Sequence, residues 1–188
     1  MQLKISSITS LTDARYFSAI GADYLGFCLD ALNENAITIE KAREITSWLH
    51  EPVIVGEFGL HQSKEEIEFI AQQMEISEIQ IPFLHEQKKD LSFRKFLYVE
   101  DWQALGLAGY SDYLVIRLKE KDIHDPELKN ILNSSQVFIE TDLHQENIRE
   151  IVETLKPFGL QITCKREERS GMSAVDEYAE LLEKIGIS

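Results

Sequence analysis

The basic side chains of this sequence cluster close to its C-terminal end. Lys165, Arg166 and Arg169 lie within five residues of one another, directly after an apolar run that is typical of a strand. Lysine and arginine bind phosphate and carboxylate groups through charge-assisted hydrogen bonds, so this cluster predicts a site for an anion. The neighbouring Glu167 and Glu168 leave an alternative open, a solvated loop whose charges cancel.

A second pair of basic residues, Arg117 and Lys119, lies at the end of another apolar run. The two are one strand period apart, so they share a face, because successive side chains of a strand point in opposite directions. Both could reach the mouth of a barrel. They could equally pair with Glu100 or Glu140 as a structural ion network, and we favour that interpretation.

Other chemistries have weaker support. Ser6 and Lys4 share a face of the first strand-like run, but no oxyanion donor can be named for a serine nucleophile. Cys164 is expected to be a buried packing residue, as most lone cysteines are. The five histidines, His50, His61, His85, His124 and His144, show no ligand spacing. We therefore predict no metal site and no cofactor.

Composition narrows the class of protein. The chain has 188 residues, 44% of them hydrophobic, which suffices for one domain with a sizeable core. With 33 acidic and 19 basic residues, its formal charge of −14 disfavours nucleic acids and anionic membranes as partners. The two cysteines and the absence of a signal-like or membrane-spanning apolar stretch predict a cytoplasmic protein. Monomer and homodimer both remain open.

Short β-rich runs alternate with amphipathic segments along the whole sequence. Eight runs read as strands, at 3–6, 24–29, 52–58, 78–81, 95–100, 113–118, 136–140 and 160–164. The clearest helices are expected at 12–20, 38–49, 63–74, 147–155 and 174–185, and the segments after strands four, five and six look short. Such an order allows a closed barrel or an open doubly wound sheet. Eight strands favour closure, and we predict a single-domain (β/α)₈ barrel over 1–188, trimmed on one side.

The opening segment KISSITSLTDARYFSAIGADYLGFCL resembles the first βαβ unit of the phosphoribosylanthranilate isomerase family, which reads KICGIT, then DA, then GAD-x-LGF. Similarity continues through PVIVGEF, EIQIPF, ETDLHQENIREIV and PFGLQITCKREERSG, and is weakest at 84–135. This resemblance implies a (β/α)₈ barrel and an isomerase of tryptophan biosynthesis. The matched residues build the fold more than they perform chemistry, and fold does not carry function with it.

The resemblance also implies where the catalytic residues should lie. The family isomerises a phosphorylated aminoaldose by an Amadori rearrangement, with a general base on strand one and a general acid at the end of strand six. Ser6 stands at the place of the basic cysteine, and Arg117 stands at the place of the acidic aspartate. A serine has no accessible anion near neutral pH, and a guanidinium does not donate its proton. We therefore expect the isomerase reaction to be lost.

Phosphate binding is altered in the same way. The family holds the phosphate on backbone N–H groups after strands seven and eight, where glycines allow close approach. Here Thr141 and Asp142 replace the glycine pair, and Thr163, Cys164 and Lys165 replace a Ser-Ser-Gly run. Asp142 would place a carboxylate against the phosphate.

Two further positions differ and one is kept. Asn35 falls near the place of the family's loop arginine, and Pro82 replaces a histidine, whereas Gln80 is retained. The substrate-binding residues that the resemblance implies are thus Gln80, Thr141, Thr163, Lys165 and Arg166.

Three functions follow from these observations. We favour a barrel without the isomerase activity that binds a small anionic or phosphorylated molecule at its C-terminal rim. The alternatives are an active isomerase with substituted residues and a protein-interaction scaffold. For the scaffold, the run Ile81 to Leu84 is a candidate apolar patch.

Overall fold

The computed structural model describes residues 1–105, 110, 112–140, 148–164 and 182–183. Eight parallel strands pair in chain order, and the first pairs with the last, so the sheet closes into a barrel. Helices alternate with the strands. The predicted (β/α)₈ barrel is confirmed. No helix in the described part of the chain is both long and apolar enough to cross a bilayer.

The elements lie close to the segments that the sequence predicts. The strands are β1 Gln2–Ser6, β2 Tyr24–Cys28, β3 Val53–Glu57, β4 Glu78–Pro82, β5 Arg94–Val99, β6 Tyr113–Arg117, β7 Val137–Glu140 and β8 Gly159–Thr163. The helices are α1 Leu11–Ala19, α2 Ile39–Thr46, α3 Lys64–Met74, α4 Pro126–Ser134 and α5 Ile148–Leu155. The helix predicted at 174–185 falls mostly outside the described residues.

Helix starts follow from local side-chain chemistry. Ser10, Thr38 and Ser63 each accept a hydrogen bond from the backbone N–H three residues on, which satisfies a group that the first turn leaves open. Between β4 and β5 the chain forms only turns, and after β5 the described residues contain a single 3₁₀ turn, Trp102–Ala104. The helical layer is therefore thin on this side of the barrel.

Strand register sorts the inward side chains into layers of four, drawn alternately from odd and even strands. From the middle of the barrel towards the carboxyl ends of the strands, the layers are Lys4, Val55, Phe96 and Phe138; then Gly26, Gln80, Val115 and Gln161; then Ser6, Glu57, Tyr98 and Glu140; then Cys28, Pro82, Arg117 and Thr163. Apart from Lys4, the layer nearest the middle of the barrel is apolar and aromatic. Rings of Tyr24, Phe96, Tyr113 and Phe138 contact one another at centroid distances of 4.7 to 6.1 Å.

A buried ion pair lies on top of the aromatic rings. The Lys4 side chain is fully buried, and its Nζ lies 2.7 Å from Oε1 of Glu57. A charge without a partner in such a place would cost several kcal/mol, so each residue depends on the other. Gly26 leaves the space for this contact, because a Cβ there would lie 2.0 Å from Oε1 of Glu57 and 3.1 Å from Nζ of Lys4.

Gly26→Ala is expected to destabilise the protein by about 2 to 4 kcal/mol, because the added methyl group displaces the Glu57 carboxylate from Lys4. Urea unfolding followed by circular dichroism would measure the loss. The control is the same substitution in a Lys4→Met/Glu57→Ala background, which removes both charges together and leaves the methyl group room. An equal cost in both backgrounds would show that the carboxylate is not what requires glycine.

Candidate functional site

The mouth of the barrel, at the carboxyl ends of the strands, is lined by polar side chains. One complete layer consists of Ser6, Glu57, Tyr98 and Glu140, from β1, β3, β5 and β7. In closed parallel barrels the active site forms at this end. The layer is therefore the place to look for chemistry.

Ser6 has no base to activate it among the described residues. Its hydroxyl is buried and lies 3.4 Å from the Ser7 hydroxyl. Glu57, in the same layer, is engaged by Lys4 and by the backbone N–H of Ser7 at 3.1 Å. Ser7 adopts a left-handed conformation, with φ of 59°, which costs about 1 kcal/mol or more for a residue other than glycine. Glu57 thus holds the backbone of β1 as well as Lys4, and it accepts no proton from Ser6.

Glu140 is the centre of a second hydrogen-bond network. Its Oε2 accepts from the Tyr98 hydroxyl at 2.6 Å, and its Oε1 accepts from the Gln161 amide at 3.1 Å and from the Thr163 hydroxyl. Burial and the Glu140 carboxylate raise the pKa of Tyr98 above its usual range, whereas the positive charge of Arg117 acts in the opposite direction. The four hydrogen-bonded side chains, Tyr98, Glu140, Gln161 and Thr163, link the ends of β5, β7 and β8.

Arg117 lies opposite Glu140 in the register of β6 and β7, and the Tyr98 hydroxyl donates to Glu140. The charge of Arg117 is thus placed near that of Glu140, beside a tyrosine that the sequence analysis does not name. Lys119 lies further out and lines a shallow pocket together with Arg117 and Glu100. Arg117 and Lys119 thus lie close together at the rim of the barrel.

The other predicted site residues divide into two groups. Gln80 lies in the layer below Glu57, and its buried Oε1 has no hydrogen-bond partner within the described residues. Thr163 lies in the outermost layer and is bound to Glu140. Thr141, Lys165 and Arg166 are outside the described residues, as are Asp142 and Arg169.

Cys28 is a thiol in the mouth that the sequence did not single out. It is buried in the same layer as Arg117, beside Glu57 in the register. Burial raises its pKa to about 11, with a smaller contribution from the negative charge of Glu57, although a backbone hydrogen bond at Asp30 opposes the shift. At neutral pH the thiol is therefore protonated and is not a general base. Cys164 is buried, as expected, and its sulfur is not in a disulfide.

His85 and His61 make local contacts, and the apolar run from Ile81 to Leu84 is only partly exposed. His85 contacts the Gln62 carbonyl at 2.9 Å, and His61 lies beside Asp30. Within the described residues, no group of three or more potential ligands is placed to hold a metal. Of the run from Ile81 to Leu84, Ile81 is fully buried, whereas Leu84 is 71% exposed.

Three polar residues of the mouth were missed or only partly recognised from the sequence. The sequence patterns do not point to Glu57 or Tyr98, and they indicate Glu140 only as an ion-pair partner. Each faces the barrel axis at the carboxyl end of its strand. Because alternate residues of a strand face the same side, counting every second residue along each strand would identify them from the sequence.

Both cysteines should resist alkylation in the folded protein at pH 7.5, because they are buried and the pKa of Cys28 is about 11. We expect fewer than one in ten thiols to react with iodoacetamide in an hour, and both to react in urea. Mass spectrometry of peptides would assign the sites. Rapid labelling of Cys28 in the folded state would contradict the raised pKa and reopen a role for the thiolate.

Comparison with known proteins gives the family context. No family model matches the chain. An N-(5'-phosphoribosyl)anthranilate isomerase of Pelodictyon phaeoclathratiforme is 39% identical over 89 residues, which cover 46% of this chain and 39% of that protein. One of Chlorobium phaeobacteroides is 25% identical over 201 residues, 92% of this chain and 91% of that protein. The match thus spans well under half of the first relative and almost all of the second.

Solved structures agree on the fold. The phosphoribosyl anthranilate isomerase of Thermus thermophilus is 23% identical, with a TM-score of 0.80 and 98% of each chain covered. Another, in complex with reduced 1-(o-carboxyphenylamino)-1-deoxyribulose 5-phosphate, is 20% identical, with a TM-score of 0.80, and covers 98% of this chain and 97% of that one. The resemblance predicted from the opening segment is confirmed: over almost its whole length this chain is similar, at low identity, to phosphoribosylanthranilate isomerases.

Proposed function

We propose that this barrel does not catalyse the isomerisation of its relatives and binds a small anionic or phosphorylated molecule at its C-terminal rim. The surroundings of Ser6 are the main support for the absence of the isomerase reaction. Its hydroxyl meets another hydroxyl at 3.4 Å, and the carboxylate in its layer is held by Lys4 and Ser7. Among the described residues around Ser6, we expect no group to take up the proton of a sugar carbon.

The position of the acid supports the same conclusion. Arg117 stands at the end of β6, opposite Glu140 in the register of β6 and β7. A guanidinium stays charged at all working pH values, so it binds an oxygen and does not protonate it. Since a general acid or a general base each contributes about 10²- to 10⁴-fold to a rate, exchange of both should leave no useful turnover.

The second part, a ligand at the rim, rests on charge. Glu140 occupies the mouth between the ends of β7 and β8, and its negative charge repels a phosphate there. Arg117 lies on the outermost layer and is exposed. An anion is thus favoured at the rim and disfavoured on the barrel axis. We further expect Thr141, Lys165 and Arg166 to contribute to its binding, and a reducing cytoplasmic compartment suits the two free thiols.

An active isomerase of tryptophan biosynthesis is the second candidate. The names of both curated relatives favour it. It requires that residues other than the family's pair perform the proton transfers, and Glu57 or Glu140 would have to leave its present hydrogen bonds to do so.

A direct assay separates the two candidates. Purified protein would be mixed with phosphoribosylanthranilate, and the loss of its fluorescence would be followed alongside growth of a tryptophan auxotroph that lacks its own isomerase. We expect the fluorescence to decay no faster than in buffer, and no growth without tryptophan.

The controls are a true isomerase on the same substrate and the variants Ser6→Ala and Arg117→Ala. Turnover by the unmodified protein that disappears in either variant would overturn the proposal and establish the isomerase. A rate that persists in both variants and is lost in Glu140→Gln would also establish an isomerase, acting through other residues, whereas a rate that persists in all three variants would identify a contaminating enzyme.

A further inference from the structure

Residues 83–93 connect β4 to β5 through turns and take the place of a helix on this side of the barrel. Leu91 of this segment is buried in the hydrophobic core, and Phe83 packs against that core. Burial of these side chains stabilises the fold only while the segment stays in place. The contacts that hold this segment, the β4–β5 loop, therefore protect the core where the helical layer is thin.

His85 is the buried polar side chain of this loop, and both of its ring nitrogens have partners. Nε2 lies 2.9 Å from the carbonyl oxygen of Gln62, and Nδ1 lies 3.3 Å from the backbone nitrogen of Gln87. A carbonyl can only accept a hydrogen bond, and a backbone N–H can only donate one. The ring is therefore neutral, with its proton on Nε2 and a lone pair on Nδ1.

The two partners of this histidine extend the contact to neighbouring elements. The buried Gln62 side chain accepts from the Gly59 N–H at 2.9 Å and donates to the Leu29 carbonyl at 3.3 Å. The Gln87 side chain accepts from the backbone N–H of Lys64 at 2.8 Å. Lys64 is the first residue of α3, where a backbone N–H has no acceptor within the helix. The β4–β5 loop thus caps α3.

A second proton on the ring is incompatible with these bonds. It could bind only to Nδ1, where it would point at the Gln87 N–H, so that two donors would face each other. The charged ring would also be buried against uncharged backbone groups, which is costly. Protonation and the held position of the loop therefore exclude each other, and by linkage acid favours release of the loop.

Charged side chains near these bonds have other partners or lie beside them in the chain. Within the described residues, neither ring nitrogen of His85 bonds to a carboxylate. The charged side chains that flank the bonds are Asp30, His61, Lys64, Glu66, Glu86 and Lys88. Asp30 and His61 pair with each other at 3.2 Å. Because histidines titrate in the same mild pH range, a test must separate His61 from His85.

We propose that His85 is a pH-sensitive switch. With its proton on Nε2 it holds the β4–β5 loop against α3, and uptake of a second proton releases the loop and uncaps the helix. This inference goes beyond the proposed function, because it depends on neither the isomerase reaction nor a ligand at the rim.

The tautomer can be observed directly in the unmodified protein. At pH 7.5 we expect ¹⁵N NMR to show a protonated Nε2 and an unprotonated Nδ1 for His85. His50 is exposed and serves as the internal reference, which should exchange between both tautomers. A proton on Nδ1 of His85 at this pH, or a mixture of the two tautomers, would overturn the proposal.

Release of the loop is measured by hydrogen exchange of the Lys64 amide, whose acceptor is the Gln87 side chain. Between pH 7.5 and pH 5.0 we expect its protection, relative to the intrinsic exchange rate, to fall about tenfold, because a capping hydrogen bond is lost. The Lys41 amide, which Thr38 caps at the start of α2, is the matched reference and should keep its protection. Equal behaviour of the two amides would refute release.

Two variants assign the effect to one histidine. His85→Gln keeps a donor for the Gln62 carbonyl but cannot titrate, so protection of the Lys64 amide should change less than about twofold over the same pH range. His61→Gln removes the neighbouring titratable ring and should retain the full change. Persistence of the pH dependence in His85→Gln, or its loss in His61→Gln, would contradict the assignment.

If His85→Gln does not fold, a titration of the unmodified protein by NMR decides the question. The Gln87 amide signal should then move together with the ring signals of His85 as the pH falls. A Gln87 signal that follows the ring of His61 instead, or that does not move, would refute the switch.

Discussion

Closure of the eight-stranded sheet fixes which side chains face the barrel axis, and at what height. Because β1 pairs with both β2 and β8, no strand can slip by one residue without turning its whole inward set outward. The polar mouth depends on this constraint. Glu57 meets Lys4 and Glu140 meets Tyr98 because their strands are held in one register.

Among the described residues, two buried carboxylates lie at the mouth of the barrel, and each is neutralised by a different means. Glu57 has an ammonium group and a backbone N–H, whereas Glu140 has three neutral side-chain donors with Arg117 nearby. Such bonds offset the large cost of removing charge from water. The same bonds hold both carboxylates in fixed positions at the mouth.

Much of the fold could be predicted from the sequence, because alternation of strands and helices is a local signal. The caps at Thr38 and Ser63 and the thin side after β4 are examples. The mouth was harder to predict, since Glu57 and Tyr98 are 41 residues apart and meet only through closure. The basic cluster in the sequence predicts Lys165 and Arg166 as site residues. The described part of the site instead consists of buried residues that are not clustered in the sequence.

The position of Glu57 has a consequence for the history of this barrel. A cysteine introduced at residue 6 would share a layer with that carboxylate, and we expect the negative charge to disfavour a thiolate there, as it does at Cys28. Glu57 itself cannot be exchanged alone, because Lys4 would be left buried without a counter-charge. If the isomerase activity is absent, as we propose, its recovery would therefore require several simultaneous substitutions at the mouth of the barrel.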